Sequence, residues 1–372
     1  MRSPDQRLPG LDALKGLACA LIIWHHLAFY GPMSDVLYPF VPELTDWLYE
    51  YGRMAVQVFL VVGGFLAASS LAPRGVASFG RAGGLIFRRY RRLVRPYLVA
   101  LLASVLVTAL VRPWFHDDSL SAAPGLWQVL AHVLMLQDVF DLEALSAGVW
   151  YVAIDLQLFA LSVLIFSLAG WLGRRWRGMP AQLGVWLVGV LAALSLLVFN
   201  LQEGLDMTGL YFFGAYALGM LAFWSGSMPR QWLWWGGMAL LGSAALLLDF
   251  RERLLLALLV AFGLVWLRQS AGARQGLRLR WLTQLGQMSY SVFLIHFPVC
   301  LLVNAVVSYF WPTQLLANTL GLFAAFFLSL LAGRMLYLWV ELRPPARQLR
   351  ASAAHDFSGQ QHGQGRSQGK SA

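Results

Sequence analysis

A lysine and two histidines interrupt the apolar stretch from Leu11 to Tyr30, LDALKGLACALIIWHHLAFY. Ionisable side chains are costly inside a membrane, so they usually face a bundle interior or a water-filled cavity and mark a functional site. Lys15 and His26 are eleven residues apart, so in a helix they share nearly the same face and lie roughly 16 Å apart along the axis. His25 points about 100° away from His26. His26 is therefore the better candidate for accepting a proton from a reacting hydroxyl, and the alternative is a histidine pair that only packs helices together.

Arginines form a second group, in the stretch FRRYRRLVRP from Phe87 to Pro96. Arg88, Arg92 and Arg95 are spaced i, i+4 and i+7, which puts three guanidinium groups on one helical face. Guanidinium groups bind phosphate through paired hydrogen bonds, so this face is typical of a polyanion site. The alternative is that the arginines only set membrane orientation or bind anionic lipid headgroups. Five arginines in eight positions exceed what orientation requires.

Two further titratable residues lie inside apolar stretches. Asp155 in VWYVAIDLQLF is a carboxylate that must be paired, protonated or facing water. It is a candidate for orienting a histidine or binding a sugar hydroxyl, and the alternative is a structural partner for an Arg, Trp or His. His296 in GQMSYSVFLIHFPV precedes Pro298 and follows three hydroxyl residues that favour a structural role. The seven histidines of the chain are scattered, so we expect no metal site.

The elements that must position these residues are membrane helices. The chain has 372 residues, is 59% hydrophobic and only 12% charged, and has a mean hydropathy of +0.61, whereas about a quarter of a soluble protein is charged. These values predict an all-α, polytopic membrane helix bundle of about ten transmembrane helices. The expected spans are 12–31, 52–72, 93–112, 149–170, 181–199, 208–224, 232–248, 254–268, 284–309 and 315–340.

The charges of the loops predict the orientation. Basic residues cluster in alternate loops and acidic residues in the others, which indicates that both termini are cytoplasmic. The same distribution explains the net charge of +10 without nucleic acid as a partner. We expect one membrane domain over residues 1–342 and a disordered cytoplasmic tail over 343–372. The long outer connection, 113–147, contains a stretch from Leu126 that predicts a short interfacial or re-entrant helix.

In order along the chain, these motifs resemble those of the acyltransferase 3 family of bacterial membrane enzymes, which acylate surface carbohydrates. The family's first-span signature, a basic residue and then a histidine, is similar to Lys15 and His26. YGRMAVQVFLVVGGFLAAS resembles its second-span pattern, and RRLVRPY its Arg-x-x-Arg motif. WYVAIDLQLF, LGQMSYSVFLIHFPV and YLWVELRPPARQL resemble its later segments. The sequence departs from these patterns with Lys15 for Arg, Gly63 for Ser, Asp155 for Glu, and one extra residue between Glu341 and Pro344.

The resemblance implies an integral enzyme of the bacterial inner membrane. It would transfer an acyl group, most often acetyl from acetyl-CoA, to a hydroxyl of a surface or exported glycan or a lipid-linked sugar. The CoA phosphates would be held by Arg88, Arg92 and Arg95, with Lys15 further along the path. His26 would act as general base or take the acyl group itself, aided by Asp155 or His296. Some members of the family carry a fused extracytoplasmic hydrolase-like domain that completes acyl transfer. We expect none in this chain, so it would finish the transfer itself or pass the acyl group to a separate protein.

A proton-coupled transporter is the alternative function. In that reading Lys15, His26 and Asp155 form a proton relay, and the arginines only set the orientation. We see no internal repeat of the kind that marks many transporters.

Overall fold

Every regular element in the described part of the chain is helical. The computed structural model describes residues 9–117, 119–176, 178–226, 229–270 and 279–342. The helices are α1 (Pro9–Phe29), α2 (Pro32–Leu37), α3 (Pro42–Tyr51), α4 (Ala55–Leu71), α5 (Ala82–Val111), α6 (Leu126–Leu134), α7 (Val149–Arg175), α8 (Leu183–Leu197), α9 (Gly209–Ser225), α10 (Gln231–Leu248), α11 (Glu252–Gln269), α12 (Arg280–Phe310) and α13 (Leu315–Leu336), which ends in a π-helical turn (Tyr337–Glu341).

The helices confirm an all-α polytopic membrane bundle, since a helix occupies each of the ten predicted spans. Within the described ranges, eight helical stretches are long and apolar enough to cross a membrane: Pro9–Phe29, Pro42–Leu71, Ala82–Val111, Val149–Arg175, Leu183–Leu201, Gln231–Leu248, Arg280–Phe310 and Leu315–Glu341. The two other spans are the shorter apolar helix α9 and the more charged α11. Both termini, and with them the expected tail 343–372, lie outside the described residues.

Two helix pairs pack with their backbones in contact at glycines. A Cβ atom added to Gly286 of α12 would overlap the carbonyl oxygen of Asp12 of α1, and one added to Gly64 of α4 would overlap the carbonyl oxygen of Tyr216 of α9. Small residues permit this approach, which membrane helices use because lipid provides no hydrophobic force between them. The chain therefore brings α1 and α12 together although they lie at opposite ends of the sequence.

The contacts between α1 and α12 show that the two helices run parallel. The Sγ atom of Cys19 lies 3.7 Å from the carbonyl oxygen of Ser289. Further along both helices, the side-chain amide of Asn304 donates to the carbonyl oxygen of Tyr30 at 3.0 Å. Residues that follow Cys19 on α1 therefore face residues that follow Ser289 on α12.

The connection between α5 and α7 folds back along α5. The hydroxyl of Tyr90, in the first third of α5, donates to the carbonyl oxygen of Val133 at 2.8 Å. His132 and Gln137 are fully buried, whereas Leu126 and Trp127 are exposed. The sequence predicted a short interfacial or re-entrant helix from Leu126, and α6 lies there with buried residues on one side and exposed apolar residues on the other.

Candidate functional site

His26 and His296 meet between α1 and α12, with their ring centroids 4.9 Å apart. The Nδ1 atom of His296 lies 2.7 Å from the carbonyl oxygen of Phe293. Because a carbonyl only accepts, Nδ1 carries the proton and Nε2 of the neutral ring carries the lone pair. That Nε2 atom, and Nδ1 of His26, are buried without a hydrogen-bond partner among the residues that the structure describes. The pair thus presents two unused ring nitrogens, as proton transfer requires.

His25 has a different position from its neighbour. Its Nδ1 atom lies 2.9 Å from the carbonyl oxygen of Leu48, and its side chain is buried. The bond ties α1 to α3, and a Cβ atom added to Gly52 would lie only 2.7 Å from the Cβ atom of His25. His25 therefore packs helices, and His26 is the histidine of this stretch that faces His296.

A cavity of about 150 Å³ lies between α1, α4, α5, α7 and α12. Its charged lining consists of Lys15, Arg89, Arg92, Asp155 and Glu341. The remaining lining residues are mostly apolar or aromatic: Phe59, Val62, Gly63, Leu66, Leu93, Tyr151, Val152, Ser289, Tyr290 and Phe293. Three cations against two carboxylates make the cavity suited to an anionic or strongly polar ligand.

The inner wall of this cavity contains an ion pair between α5 and α7. The Nη2 atom of Arg89 lies 2.6 Å from Oδ2 of Asp155. The guanidinium group also lies over the ring of Phe159, with its central carbon 5.3 Å from the centroid. Arg89 was missed as a site residue by the sequence analysis, which chose Arg88, Arg92 and Arg95. Asp155 is therefore paired with an arginine, the alternative that the sequence analysis kept open.

The other predicted donor-binding residues divide into two groups. Lys15 and Arg92 line the cavity, and the Nζ atom of Lys15 lies 2.9 Å from Oδ1 of Asp12. Arg88 and Arg95 are exposed and do not line the cavity. The structure brings Lys15, Arg92 and Asp155 into one cavity and joins His26 to His296 beyond it.

Glu341, in the π-helical turn after α13, belongs to the cavity as well. The hydroxyl of Ser291 donates to its Oε2 atom at 2.7 Å. The sequence signal for Glu341 was its place in the closing motif, which gave no indication of a contact with α12. Among the described residues, no three His, Cys, Asp or Glu side chains are grouped to hold a metal ion.

Comparisons with known proteins identify the family of this chain. Over 178 residues the chain is 28% identical to the regulator of hypoxia-inducible factor 1 of Caenorhabditis elegans. This aligned region covers 44% of this chain and 35% of that protein. The chain thus spans about a third of the length of this curated relative. No solved structure matches the chain. The family model described as an acyltransferase domain matches residues 8–337, nearly the whole chain. The chain therefore belongs to the acyltransferase 3 family, which confirms the resemblance that its motifs indicated.

Proposed function

We propose that this protein transfers an acyl group, in particular acetyl, from acyl-CoA to a hydroxyl of a surface or exported glycan or a lipid-linked sugar. The bundle end at which α1, α5 and α12 begin would face the cytoplasm of a bacterial inner membrane, because positive residues favour that side. Membership of the family supports an acyltransferase. The acyl-CoA donor, the acetyl group and the carbohydrate acceptor go beyond family membership and are our proposal.

One observation carries this proposal: the basic cavity and the histidine pair share the same two helices. Lys15 precedes His26 on α1, and Ser289 precedes His296 on α12. Because these helices run parallel, a ligand that enters at Lys15 points along both helices toward the two histidines. A thioester held by its phosphates at one end would therefore extend toward a proton acceptor at the other.

The size of the cavity indicates which part of the donor it receives. A volume of about 150 Å³ holds roughly five water molecules at about 30 Å³ each, enough for the acyl-bearing end of the donor but not for its nucleotide. The nucleotide phosphates would lie outside the cavity, where Arg88 and Arg95 are exposed. Arg92, which lines the cavity, would bind the donor between these two parts.

In the reaction, the acceptor hydroxyl oxygen attacks the thioester carbonyl carbon while His26 takes the hydroxyl proton. The carbon–sulfur bond then breaks, and CoA leaves as a thiolate that recovers the proton from the imidazolium. His296 packs against His26 and keeps its ring in place. Arg89 and Asp155 neutralise each other in the cavity wall, so neither presents an isolated charge to the thioester.

The test uses membrane vesicles from a deletion strain complemented with the full chain or with His26→Ala. Labelled acetyl-CoA is supplied, and both CoA release and label in carbohydrate and lipid fractions are measured. We expect His26→Ala to lower the transfer rate by about 10²- to 10⁴-fold, the usual contribution of a general base. His25→Ala is the matched control and should keep the chemical step. Transfer at the wild-type rate by His26→Ala would refute the assignment, and proton-coupled solute flux without CoA release would favour the transporter alternative.

A further inference from the structure

Three aromatic side chains from three helices form a layer at one end of the cavity. The ring of Phe293 on α12 lies 6.2 Å from that of Phe59 on α4 and 5.3 Å from that of Tyr151 on α7, measured between centroids. The rings of Phe59 and Tyr151 are 6.1 Å apart. The three rings thus contact one another in a triangle, and all three line the cavity.

This layer lies between the charged part of the cavity and the histidine pair. The ring of Phe293 is 6.0 Å from that of His296, which in turn contacts His26. Along α12, Ser289 lines the cavity before Phe293, and His296 follows it. The path from Ser289 to His296 rises only about 10 Å, so the acyl end of a donor that extends along α12 toward the histidines lies against these rings.

The backbone just before α7 holds the ring of Phe293 in place. Gly148 has a φ angle of 83°, and a Cβ atom added there would lie 2.9 Å from two atoms of the Phe293 ring. Phe293 itself is only 4% exposed. With Gly148 on one side and two aromatic rings on another, Phe293 has little room to move aside for a longer chain.

We propose that Phe59, Tyr151 and Phe293 set the length of the acyl group and restrict this enzyme to acetyl. The proposal rests on the acyltransferase function proposed above. A methyl group fits against close-packed rings, whereas each further methylene must displace one of them. Discrimination by one methylene in an apolar pocket is about 10- to 200-fold, so butyryl-CoA should be a poor donor.

The experiment compares acetyl-, propionyl- and butyryl-CoA as donors for the full chain in vesicles that contain the natural acceptor. The readout is the ratio of kcat/KM for butyryl-CoA to kcat/KM for acetyl-CoA, from CoA release. We expect Phe59→Ala, which removes a half-buried ring, to raise this ratio by about tenfold or more. Phe293→Leu is the second variant. It opens the layer of rings but loses less buried volume than replacement of Phe293 by alanine would.

The matched control is Phe65→Ala, on the same helix as Phe59. Phe65 is buried against Phe223 and does not line the cavity. It should leave the ratio unchanged even where it lowers the amount of folded protein. If a variant loses acetyl transfer, competition of butyryl-CoA against labelled acetyl-CoA for binding gives the ratio of their dissociation constants, which should shift toward butyryl-CoA in the same way.

The outcomes separate the two proposals. A wild-type ratio near one, or a ratio that neither variant changes, would overturn the role of the three rings while leaving the acyltransferase function in place. Absence of CoA release from every acyl-CoA by the wild type would refute the acyltransferase function itself.

Discussion

The guanidinium group of Arg89 and the carboxylate of Asp155 lie 2.6 Å apart and join α5 to α7 in the wall of a cavity. The Asp155 side chain is 9% exposed and that of Arg89 is 28% exposed. A pair in which one partner is buried stabilises little by itself, but removal of the arginine leaves the buried carboxylate uncompensated. Replacement of both residues is therefore expected to cost less stability than the sum of the two single replacements.

Arg89→Ala should destabilise the protein by about 3 kcal/mol, the lower end for breaking a buried pair because Arg89 is partly exposed. Unfolding in detergent micelles measures the change. The double variant Arg89→Ala, Asp155→Asn should cost less than the sum of the single changes. Arg88→Ala, at an exposed neighbouring position, is the control and should change stability by less than about 0.5 kcal/mol. Strictly additive costs would contradict the pairing.

His296 offers a test of which ring nitrogen matters. Asn places its amide near the position of Nδ1, and Gln places its amide near that of Nε2. Because Nδ1 is occupied by the carbonyl oxygen of Phe293 whereas Nε2 has no partner in the described part of the chain, we expect His296→Asn to lower acyl transfer by about 10²-fold and His296→Gln by less. Rates of CoA release at saturating acetyl-CoA measure the difference. The reverse order would assign the useful atom to Nδ1.

Gly286→Ala should separate α1 from α12, since the new Cβ atom would overlap the carbonyl oxygen of Asp12. Overpacking of this kind costs about 1–3 kcal/mol, and transfer activity should fall with it because His26 and His296 lie on the same two helices. Gly84→Ala is the matched control, as no described residue lies within 4 Å of a Cβ atom there. It should be neutral or stabilise the protein by about 0.4–1 kcal/mol. Equal melting temperatures for the two variants would argue against the close approach.

Arg251 connects three parts of the chain at the turn between α10 and α11. Its guanidinium group donates to the side-chain oxygen of Asn200 and to the carbonyl oxygens of Leu196 and Ala245, the latter two at 3.1 and 3.2 Å. Arg251→Ala should cost about 1.5–3 kcal/mol, typical of hydrogen bonds to a charged group. Arg253→Ala, which removes only a cation–π contact with Tyr211, should cost about 0.5–1 kcal/mol. Thermal unfolding in detergent distinguishes them, and a larger loss for Arg253 would contradict this account.

Local spacing was sufficient to place Lys15 and His26 on one helix, because helical periodicity is a property of neighbouring residues. The same periodicity also contains a signal for Arg89. The predicted span began at residue 93, whereas α5 begins at Ala82. Tyr97 and Leu93 are buried and four residues apart. Arg89 precedes Leu93 by another four residues, so it lies on the same buried face of α5.

Other parts of the site depend on contacts that no local pattern encodes. Asp155 follows Arg89 by 66 residues, and Ser291 precedes Glu341 by 50. The contact between Gly148 and Phe293 similarly requires the position of α7 relative to α12. These pairings follow from tertiary packing, which composition and periodicity leave open.

The parallel contact of α1 with α12 has a consequence for biogenesis. Cys19 and Ser289, which mark this contact, are 270 residues apart. At about 5–20 residues per second, the ribosome needs roughly 15–50 s after it has made Cys19 before Ser289 exists. During that interval the nascent chain contains His26 but no His296 beside it. A translation product that ends before α12 is therefore expected to be inserted into the membrane and yet be catalytically silent.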